Sequence, residues 1–361
     1  MKLAEIARLR LRVQRLALAA EKLAKPEGVV GWLGAVQSQE YQLARWSLGQ
    51  RLAGPGVAAS AVERAVASGR ILRTHILRPT WHFVLPRDIR WMMRLTAPRW
   101  APVVTRRHTQ LGIGPADYAR ALDSVTAALA GGNHLTRPEL GAAIVRGGVA
   151  VDGQRLAFMV MAAETSLVVA SGKPKGNVQT YALLDERAPE KTAAAFDRDD
   201  ALRELVLRYF TGHGPATVAD FTWWSTLTVA DTRRGIGAAG AALEKVTVEG
   251  TDHWWAGDST AGGADDRSPT FHLLQGFDEY VVGYRSPRHP INLNRLGPHT
   301  ALNTPSWLNG LFLDGQLIGW WRRVAGKSGP AVETSLLREL TTREQSALNK
   351  AVGRQLEFVA G

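Results

Sequence analysis

The chain has 361 residues, 45% hydrophobic and 21% charged, a composition typical of folded proteins and a length that allows two or three domains. It contains no cysteine, which excludes disulfides, thiol nucleophiles, iron–sulfur clusters and zinc fingers. Its 44 Lys and Arg residues, most of them Arg, exceed its 33 Asp and Glu residues and give a net charge of +11. This excess predicts a polyanionic partner, with an Arg-rich coding bias as the alternative explanation.

The first 25 residues do not form a convincing signal peptide. Their apolar core at 16–20 is short, and Arg8, Arg10, Arg12 and Arg15 interrupt the positions before it. No window of the chain approaches the ~20 uncharged apolar residues that a membrane span requires. We therefore expect a cytoplasmic protein without a membrane anchor.

The first part of the chain is predicted to form helices followed by a two-stranded element. Pro79 separates the two strands, and Pro86 opens the next helix, because proline fits the first helical turn. The predicted helices cover 3–24, 27–36, 40–52 and 57–68, and the predicted strands cover 71–77 and 80–85.

A second part repeats this order. Thr136, with Glu139 three residues later, is typical of a helix start with a capping box. Lys173 and Lys175 lie in a basic turn between two apolar strands. Two helices followed by a hairpin with a cationic tip indicate a winged helix. The other predicted elements are helices at 116–129 and 155–164 and strands at 167–170 and 178–184.

The third part contains two more helices, a hairpin and a β-rich C-terminal region. Asp314-Gly315, flanked by alternating apolar residues, is a strong hairpin signal. The predicted elements are helices at 218–224, 229–238 and 342–359 and strands at 246–248 and 253–255. We predict an α+β protein of three tandem winged-helix units at 1–115, 116–189 and 190–361, the last with the β-rich C-terminal part.

Two glutamines, Gln37 and Gln39, stand at the end of the second predicted helix. On an uninterrupted helix they would point about 200° apart and could not converge on one atom. We therefore predict that this helix ends at about Val36 and that 37–39 are extended or lead into the next helix. The alternative is that both amides cap the helix junction by bonding free backbone groups.

Several stretches resemble, in the same order, the winged-helix DNA-binding family that contains the AlkZ-type DNA glycosylases. They are 34–39 (GAVQSQ), 78–82 (RPTWH), 180–187 (TYALLDER), 210–224 (FTGHGPATVADFTWW), 277–280 (FDEY) and 314–319 (DGQLIG). The resemblance implies that the three winged helices form one concave body that binds duplex DNA. It also implies a catalytic Gln-x-Gln motif, here Gln37 and Gln39, and removal of bases alkylated at purine nitrogens, including crosslinks of azinomycin-like antibiotics.

The chemistry of the amide pair fits that substrate class. A glutamine side chain cannot take up a proton, but its oxygen accepts two hydrogen bonds and its nitrogen donates two. Two amides can orient a water and place partial negative charge near an oxocarbenium-like sugar, which is modest assistance. It suffices only when the departing base is already cationic, so neutral bases such as uracil should stay in place. We expect a monofunctional enzyme without cofactor, because no lysine lies near the pair in sequence.

Candidate DNA contacts are cationic or apolar residues on the predicted wings and loops. The alternative for His82 is a buried, hydrogen-bonded histidine. For Lys173 and Lys175 the alternative is a solvated charge in a turn, and for Trp320 it is a position in the core. The candidates are Arg45, Arg78, His82, Lys173, Lys175, Arg285, Arg288, Trp320, Arg322 and Arg323.

Other chemistries find little support in the sequence. The nine histidines show no metal-ligand spacing, so no metal site is predicted. Asp278 and Glu279 would point to opposite faces of a strand, which rules out joint action there, and we expect Asp278 to be structural.

The leading hypothesis is a monomeric DNA glycosylase that acts on duplex DNA carrying alkylated purines or crosslinks, in DNA repair or antibiotic self-resistance. The rival hypotheses are a winged-helix transcriptional regulator without chemistry and a non-catalytic DNA-binding scaffold.

Overall fold

The computed structural model describes residues 1–17, 22–54, 57–192, 194–256, 268–285, 289–293, 309–326 and 329–361. These residues form two compact units, each assembled from separate segments of the chain. The first unit comprises Met1–Val62, Arg203–Trp224 and Thr228–Gly361, and the second comprises Glu63–Leu202 and Ser225–Leu227. Within the described ranges, none of the helices combines the length and the hydrophobicity needed to span a membrane.

Helices make up most of the secondary structure. Their bounds are α1 (Leu3–Val13), α2 (Pro26–Leu33), α3 (Tyr41–Gly49), α4 (Ala59–Ala67), α5 (Pro86–Gln110), α6 (Pro115–Leu129), α7 (Arg137–Arg146), α8 (Gly153–Thr165), α9 (Leu184–Arg187), α10 (Arg198–His213), α11 (Val218–Ser225), α12 (Val229–Ala239), α13 (Glu279–Val282) and α14 (Thr342–Ala360).

The strands are short except in the C-terminal region. Their bounds are β1 (Val36–Gln37), β2 (Leu72–Ile76), β3 (Thr80–Val84), β4 (Leu135–Thr136), β5 (Val169–Ser171), β6 (Thr180–Leu183), β7 (Glu244–Val248), β8 (Thr251–Trp255), β9 (Phe271–Leu274), β10 (Asn309–Leu313), β11 (Gln316–Gly326) and β12 (Gly329–Leu336).

One order of elements occurs three times along the chain: a helix, a short extended stretch, two helices and an antiparallel hairpin. It is α2–β1–α3–α4–β2–β3, then α6–β4–α7–α8–β5–β6. The third occurrence is α10, an isolated bridge from Ala216 to Trp254, α11, α12 and the β7–β8 hairpin. This order agrees with the predicted helices and hairpins, although it does not coincide with the two compact units.

The second occurrence is fixed by its helix caps and its apolar core. Thr136 caps α7, and its side chain accepts the backbone N–H of Glu139, as the capping box predicts. Asp152 caps α8 by accepting two backbone N–H groups. Strands β4, β6 and β5 form a three-stranded sheet in that order. Behind these elements lie Leu129, Leu140, Ile144, Met159 and Val169.

The first predicted helix is too long. Helix α1 ends at Val13, whereas the prediction ran to residue 24. Arg15 has a φ of 59°, a left-handed conformation that no α-helix can contain. The sequence gives no warning, since neither glycine nor proline marks the end.

The C-terminal region contains a four-stranded antiparallel sheet in the order β12-β11-β10-β9. The two-residue loop between β10 and β11 is Asp314-Gly315, with φ of 48° and 83°, as expected for an Asp-Gly hairpin turn. Asp314 also accepts the backbone N–H of Thr270 at 2.9 Å, which ties the turn to the chain before β9. The Asp-Gly prediction is therefore confirmed.

Candidate active site

The Gln-x-Gln stretch lies in a break between two helices. Helix α2 ends at Leu33, and Gly34 follows with a φ of +81° that favours glycine. The chain is then extended at Val36–Gln37, and α3 begins at Tyr41. The predicted break is confirmed and begins about one turn earlier than expected.

The position of Gly34 brings the motif against helices from the third occurrence of the repeated order. A Cβ on Gly34 would lie 3.5 Å from Cη2 of Trp224 and 3.8 Å from Cβ of Arg208. A Cβ on Gly212 of α10 would lie 2.8 Å from the Trp32 carbonyl oxygen of α2. Glycine at position 212 therefore permits the close approach of α10 to the end of α2, whereas a side chain at position 34 would make only ordinary contacts and is disfavoured by the positive φ.

The two glutamines differ in burial. Gln37 is 5% exposed and Ser38 is fully buried, whereas Gln39 is half-buried. Strand β1 ends at Gln37 and Gln39 lies in a bend before α3, so neither amide belongs to a helix. A helix would have separated them.

A carboxylate distant in sequence binds the motif. The backbone N–H of Gln37 donates to Oε1 of Glu279 at 2.7 Å. Oε2 of the same carboxylate accepts the indole N–H of Trp224 at 3.0 Å and lies 3.2 Å from Nε2 of His213. Glu279, Trp224 and His213 are all fully buried. A buried anion needs such donors, because removal from water is costly without them.

The aromatic surroundings hold the cluster in place. The ring of Tyr209 stacks on His213, with centroids 4.7 Å apart and planes 11° apart. The Tyr209 hydroxyl donates to the carbonyl of Gly283 at 2.8 Å, and burial raises the pKa of this hydroxyl well above its usual value. Tyr209 is therefore neutral and rigidly placed beside the His213–Glu279 pair.

Asp278 and Glu279 do not lie on a strand, so that part of the sequence analysis is wrong. Asp278 is the N-cap of α13 and accepts the backbone N–H of Tyr280 at 2.9 Å. Its carboxylate is fully buried and receives two hydrogen bonds from Arg51, at 2.8 and 2.9 Å. Neighbouring acids thus enter separate networks, with Asp278 in the structural role expected of it.

Arg45 and Arg323 lie near each other in the first unit. The pKa of Arg45 is lowered, first by burial; Tyr41 opposes this effect, and the positive charge of Arg323 adds to it. Arg45 belongs to α3, the helix that follows the motif, and donates to the side chain of Gln42. Arg322 is instead paired with Glu333 at 2.6 Å. Of the predicted DNA contacts, Arg45 and Arg323 are thus close in space, whereas Arg322 is bound to Glu333.

Some predicted DNA contacts are buried. Trp320 is 6% exposed, which corrects the expectation of a tryptophan wedge: its ring lies in the core. His82 is fully buried, with Nδ1 2.9 Å from the carbonyl oxygen of Thr80, which corresponds to the alternative of a hydrogen-bonded core histidine. Arg78 is 8% exposed.

The remaining candidates lie at the surface or outside the described residues. Lys173 and Lys175 are exposed on the β5–β6 turn, and Lys175 donates to both carboxylate oxygens of Glu139 at 2.8 Å. This hydrogen bond, with help from Thr136, lowers the pKa of Glu139 to about 2. Arg285 is exposed, and Arg288 lies outside the described residues.

The structure also draws attention to Lys22. Burial, followed by the charges of Arg354 and Arg51, lowers its pKa to about 7. Its ammonium group donates to the carbonyls of Leu16 and Gln50.

Among the described residues, no cluster of three or more His, Asp or Glu could hold a metal ion.

Sequence reasoning missed the Glu279 cluster. Glu279, His213 and Trp224 approach Gln37 only in the folded chain, and the Gln37–Glu279 bond spans 242 positions. The signal available was that two of the resembling stretches, 210–224 and 277–280, contain all three residues.

Comparison with known proteins gives consistent results. The family model described as "DNA glycosylase AlkZ-like" matches residues 30–358. The chain is 26% identical over 338 residues to the "Interstrand DNA cross-link repair glycosylase" of Streptomyces sahachiroi, an alignment that covers 87% of this chain and 86% of that protein. It shares the fold of the solved Streptomyces sahachiroi DNA glycosylase AlkZ, with a TM-score of 0.75, 21% identity and coverage of 99% of this chain and 98% of the other. Since the family match includes the Gln-x-Gln stretch and extends over most of the chain, this protein belongs to the AlkZ-like DNA glycosylase family.

Proposed function

We propose that this DNA glycosylase hydrolyses the N-glycosidic bond of cationic alkylpurines of the N7-alkylguanine type. We further propose that it unhooks interstrand crosslinks of azinomycin-like agents, in repair or antibiotic self-resistance. The observation that carries the proposal is the break between α2 and α3 that contains Gln37 and Gln39, because an uninterrupted helix would keep the two amides from acting on one reacting centre. The name of the Streptomyces sahachiroi relative supports the crosslink substrate.

The proposed reaction needs no group that titrates. The bond between the sugar C1′ and the base nitrogen breaks, and its electron pair neutralises the positive charge of the alkylated base. Water then attacks C1′ of the oxocarbenium-like sugar and loses a proton to solvent. The amide oxygens of Gln37 and Gln39 accept hydrogen bonds from that water and place partial negative charge beside the sugar.

We infer that the three occurrences of the repeated order are winged-helix units that bind duplex DNA. The support is the order of the elements, with a hairpin after each pair of helices. Lys173, Lys175, Arg285, Arg45 and Arg323 are the proposed phosphate contacts among the described residues, in keeping with the net charge of +11. We infer that the protein acts as a monomer in the cytoplasm.

The test is release of N7-methylguanine from a duplex under single-turnover conditions, with wild type, Gln37→Ala and Gln39→Ala. We expect each substitution to slow release about 100-fold or more, as loss of a preorganised hydrogen-bonding group does in other enzymes. Gln345→Ala is the matched control, because this exposed glutamine lies on α14 and pairs with Asn349. Its rate should equal that of wild type.

Two further duplexes sharpen this test. A uracil-containing duplex should release no base, and a duplex with an N7-linked interstrand crosslink should be unhooked. Sequence-selective binding without release of any base would instead identify a regulator. Full release rates for the Gln37 and Gln39 variants would contradict the proposed catalytic roles.

The monofunctional mechanism has its own test. Borohydride reduces a Schiff base and traps a covalent enzyme–DNA complex, so we expect no trapped complex here. A trapped complex would contradict the proposal, and Lys22→Gln would be the first variant to examine, because its pKa is lowered to about 7.

A further inference from the structure

The carboxylate of Glu279 lies directly behind Gln37, yet the proposed reaction does not use it. Its exposure is 0%, so it does not reach the DNA. Its shortest hydrogen bond in the cluster is the one from the backbone N–H of Gln37, at 2.7 Å. A group so placed can act only through the motif residue that it holds.

The chemistry of the cluster calls for a carboxylate. N–H donors approach from two sides: the Gln37 backbone at Oε1 and the Trp224 indole at Oε2. A carboxylate accepts on both oxygens, whereas an amide of the same size has one acceptor and one donor. In Glu279→Gln, one of the two N–H groups would therefore face an NH₂ group.

The rest of the cluster prevents the carboxylate from moving away. Asp278 caps the helix that begins at Glu279, and Arg51 holds Asp278 through two hydrogen bonds. On the far side, a Cβ at Gly283 would lie 2.8 Å from Cδ2 of His213, so the histidine is packed tightly against α13. The position of the carboxylate is thus set by the fold, and Gln37 adapts to it.

We propose that Glu279 is a positioning residue for Gln37 of the catalytic amide pair. It fixes the backbone of Gln37 and with it the origin of an amide side chain that has three rotatable bonds. The inference rests on the proposed catalytic role of Gln37. It assigns to Glu279 an effect on the chemical step and none on DNA binding.

A double-mutant cycle between Glu279→Gln and Gln37→Ala tests the proposal, with base release and DNA affinity measured separately. In the wild-type background, Glu279→Gln should slow single-turnover release about 10- to 100-fold, the equivalent of one hydrogen bond to a charged group. In the Gln37→Ala background it should change the rate by no more than about twofold, since the side chain through which it acts is gone. DNA affinity should be unchanged in both backgrounds.

The outcomes separate this inference from the proposed function. If Glu279→Gln slows both backgrounds by the same factor, Glu279 does not act through Gln37 and the inference is wrong, while the proposed function stands. If Gln37→Ala itself releases base at the wild-type rate, Gln37 is not catalytic and the inference about Glu279 fails with it. If the wild type releases no base, the proposed function fails.

Two more variants exclude a general effect on folding. Tyr280→Phe is the matched control, because Tyr280 is the next residue of α13, is fully buried and donates to the carbonyls of Ala7 and Gly315. It should lower stability without slowing release per folded molecule. Glu279→Gln combined with Trp224→Phe should recover part of the lost rate, since the amide oxygen can turn to the Gln37 N–H once the indole donor is absent. A double variant that is folded and as slow as Glu279→Gln alone would overturn the proposal.

Discussion

The buried charged residues of the first unit are bound by specific partners. Arg51 is fully buried and donates to Asp278, to the backbone of Gln14 and to the backbone of Ser47. Arg10 is 1% exposed and donates to the Pro215 carbonyl at 2.9 Å. Such charges tolerate burial only where hydrogen bonds replace water, so removing one partner should be costly at each of these positions.

His272 makes the stability of the protein depend on pH. Burial, followed by the positive charges of Lys22, Arg354 and Arg51, lowers its pKa from 6.5 to about 3. The folded protein therefore keeps His272 neutral, whereas the unfolded chain takes up a proton as the pH falls below 6.5. The contribution of His272 to the free energy of unfolding is complete above pH 6.5 and is lost as the pH falls toward 3. Over this range the free energy of unfolding falls by up to about 1.4 kcal/mol per pH unit.

The measurement is urea unfolding of wild type and His272→Gln at several pH values between neutral and moderately acidic. The free energy of unfolding should fall more steeply with acidification in wild type than in the variant. Parallel curves would show that His272 is not held neutral by the fold.

Helix α3 connects the motif to the C-terminal helix through close packing. A Cβ on Gly49, its last residue, would lie 2.7 Å from Cδ2 of Phe358 in α14. The Phe358 ring also packs on Trp46, with centroids 5.2 Å apart, so it has little room to move. Gly49→Ala should lower the free energy of unfolding by about 1–3 kcal/mol, as overpacking of a core does.

Gly237 is the control for Gly49. It is an exposed position of α12, and a Cβ there meets no atom within 4 Å. Gly237→Ala should raise the free energy of unfolding by about 0.5–1 kcal/mol, because alanine loses less backbone entropy in a helix. Thermal or urea unfolding measures both changes, and equal effects of the two substitutions would refute the packing argument.

Local signals predicted most elements well. Thr136 with Glu139, Pro86 and Asp314-Gly315 act through neighbouring backbone groups, so their effect is visible in sequence. The end of α1 was missed because Arg15 adopts a left-handed conformation without a glycine to mark it. The Gln-x-Gln break could be predicted because it depends on local geometry. The contact of Glu279 with Gln37 could not, because the two residues lie 242 positions apart in the sequence.

The element order and the compact units divide the molecule differently. Three occurrences of one order predict three winged-helix units, and their boundaries stay a prediction. The compact units number two, and the first joins Met1–Val62 to Arg203–Trp224 and Thr228–Gly361. Spatial compactness thus depends on contacts that chain order does not reveal.

The net charge of +11 should make DNA binding strongly dependent on salt, and two adjacent arginines of β11 should contribute unequally. Neighbouring strand positions point to opposite faces. Arg323 lies near Arg45 of α3, whereas Arg322 is paired with Glu333. Arg323→Gln should weaken binding and lower the slope of log affinity against log salt by about 0.9, the value for one phosphate contact.

Arg322→Gln is the matched comparison for this prediction. Arg322→Gln removes the same charge from the same strand, but Glu333 already neutralises that charge. The slope of log affinity against log salt should therefore change less than in Arg323→Gln. Fluorescence anisotropy of a labelled duplex at several salt concentrations measures both slopes, and a larger change for Arg322→Gln would contradict the assignment.

The hydrogen bond between Gln37 and Glu279 can form only after the chain has been synthesised for a further 242 positions beyond Gln37. At about 5–20 residues per second, a ribosome needs roughly ten to fifty seconds to translate the intervening stretch of chain. Until then the nascent polypeptide exposes its glutamine motif without the residue that orders it. On the proposed role of Glu279, a nascent chain that ends before this residue should therefore release base more slowly than the finished protein, and the full rate should be reached only after residue 279 has been synthesised.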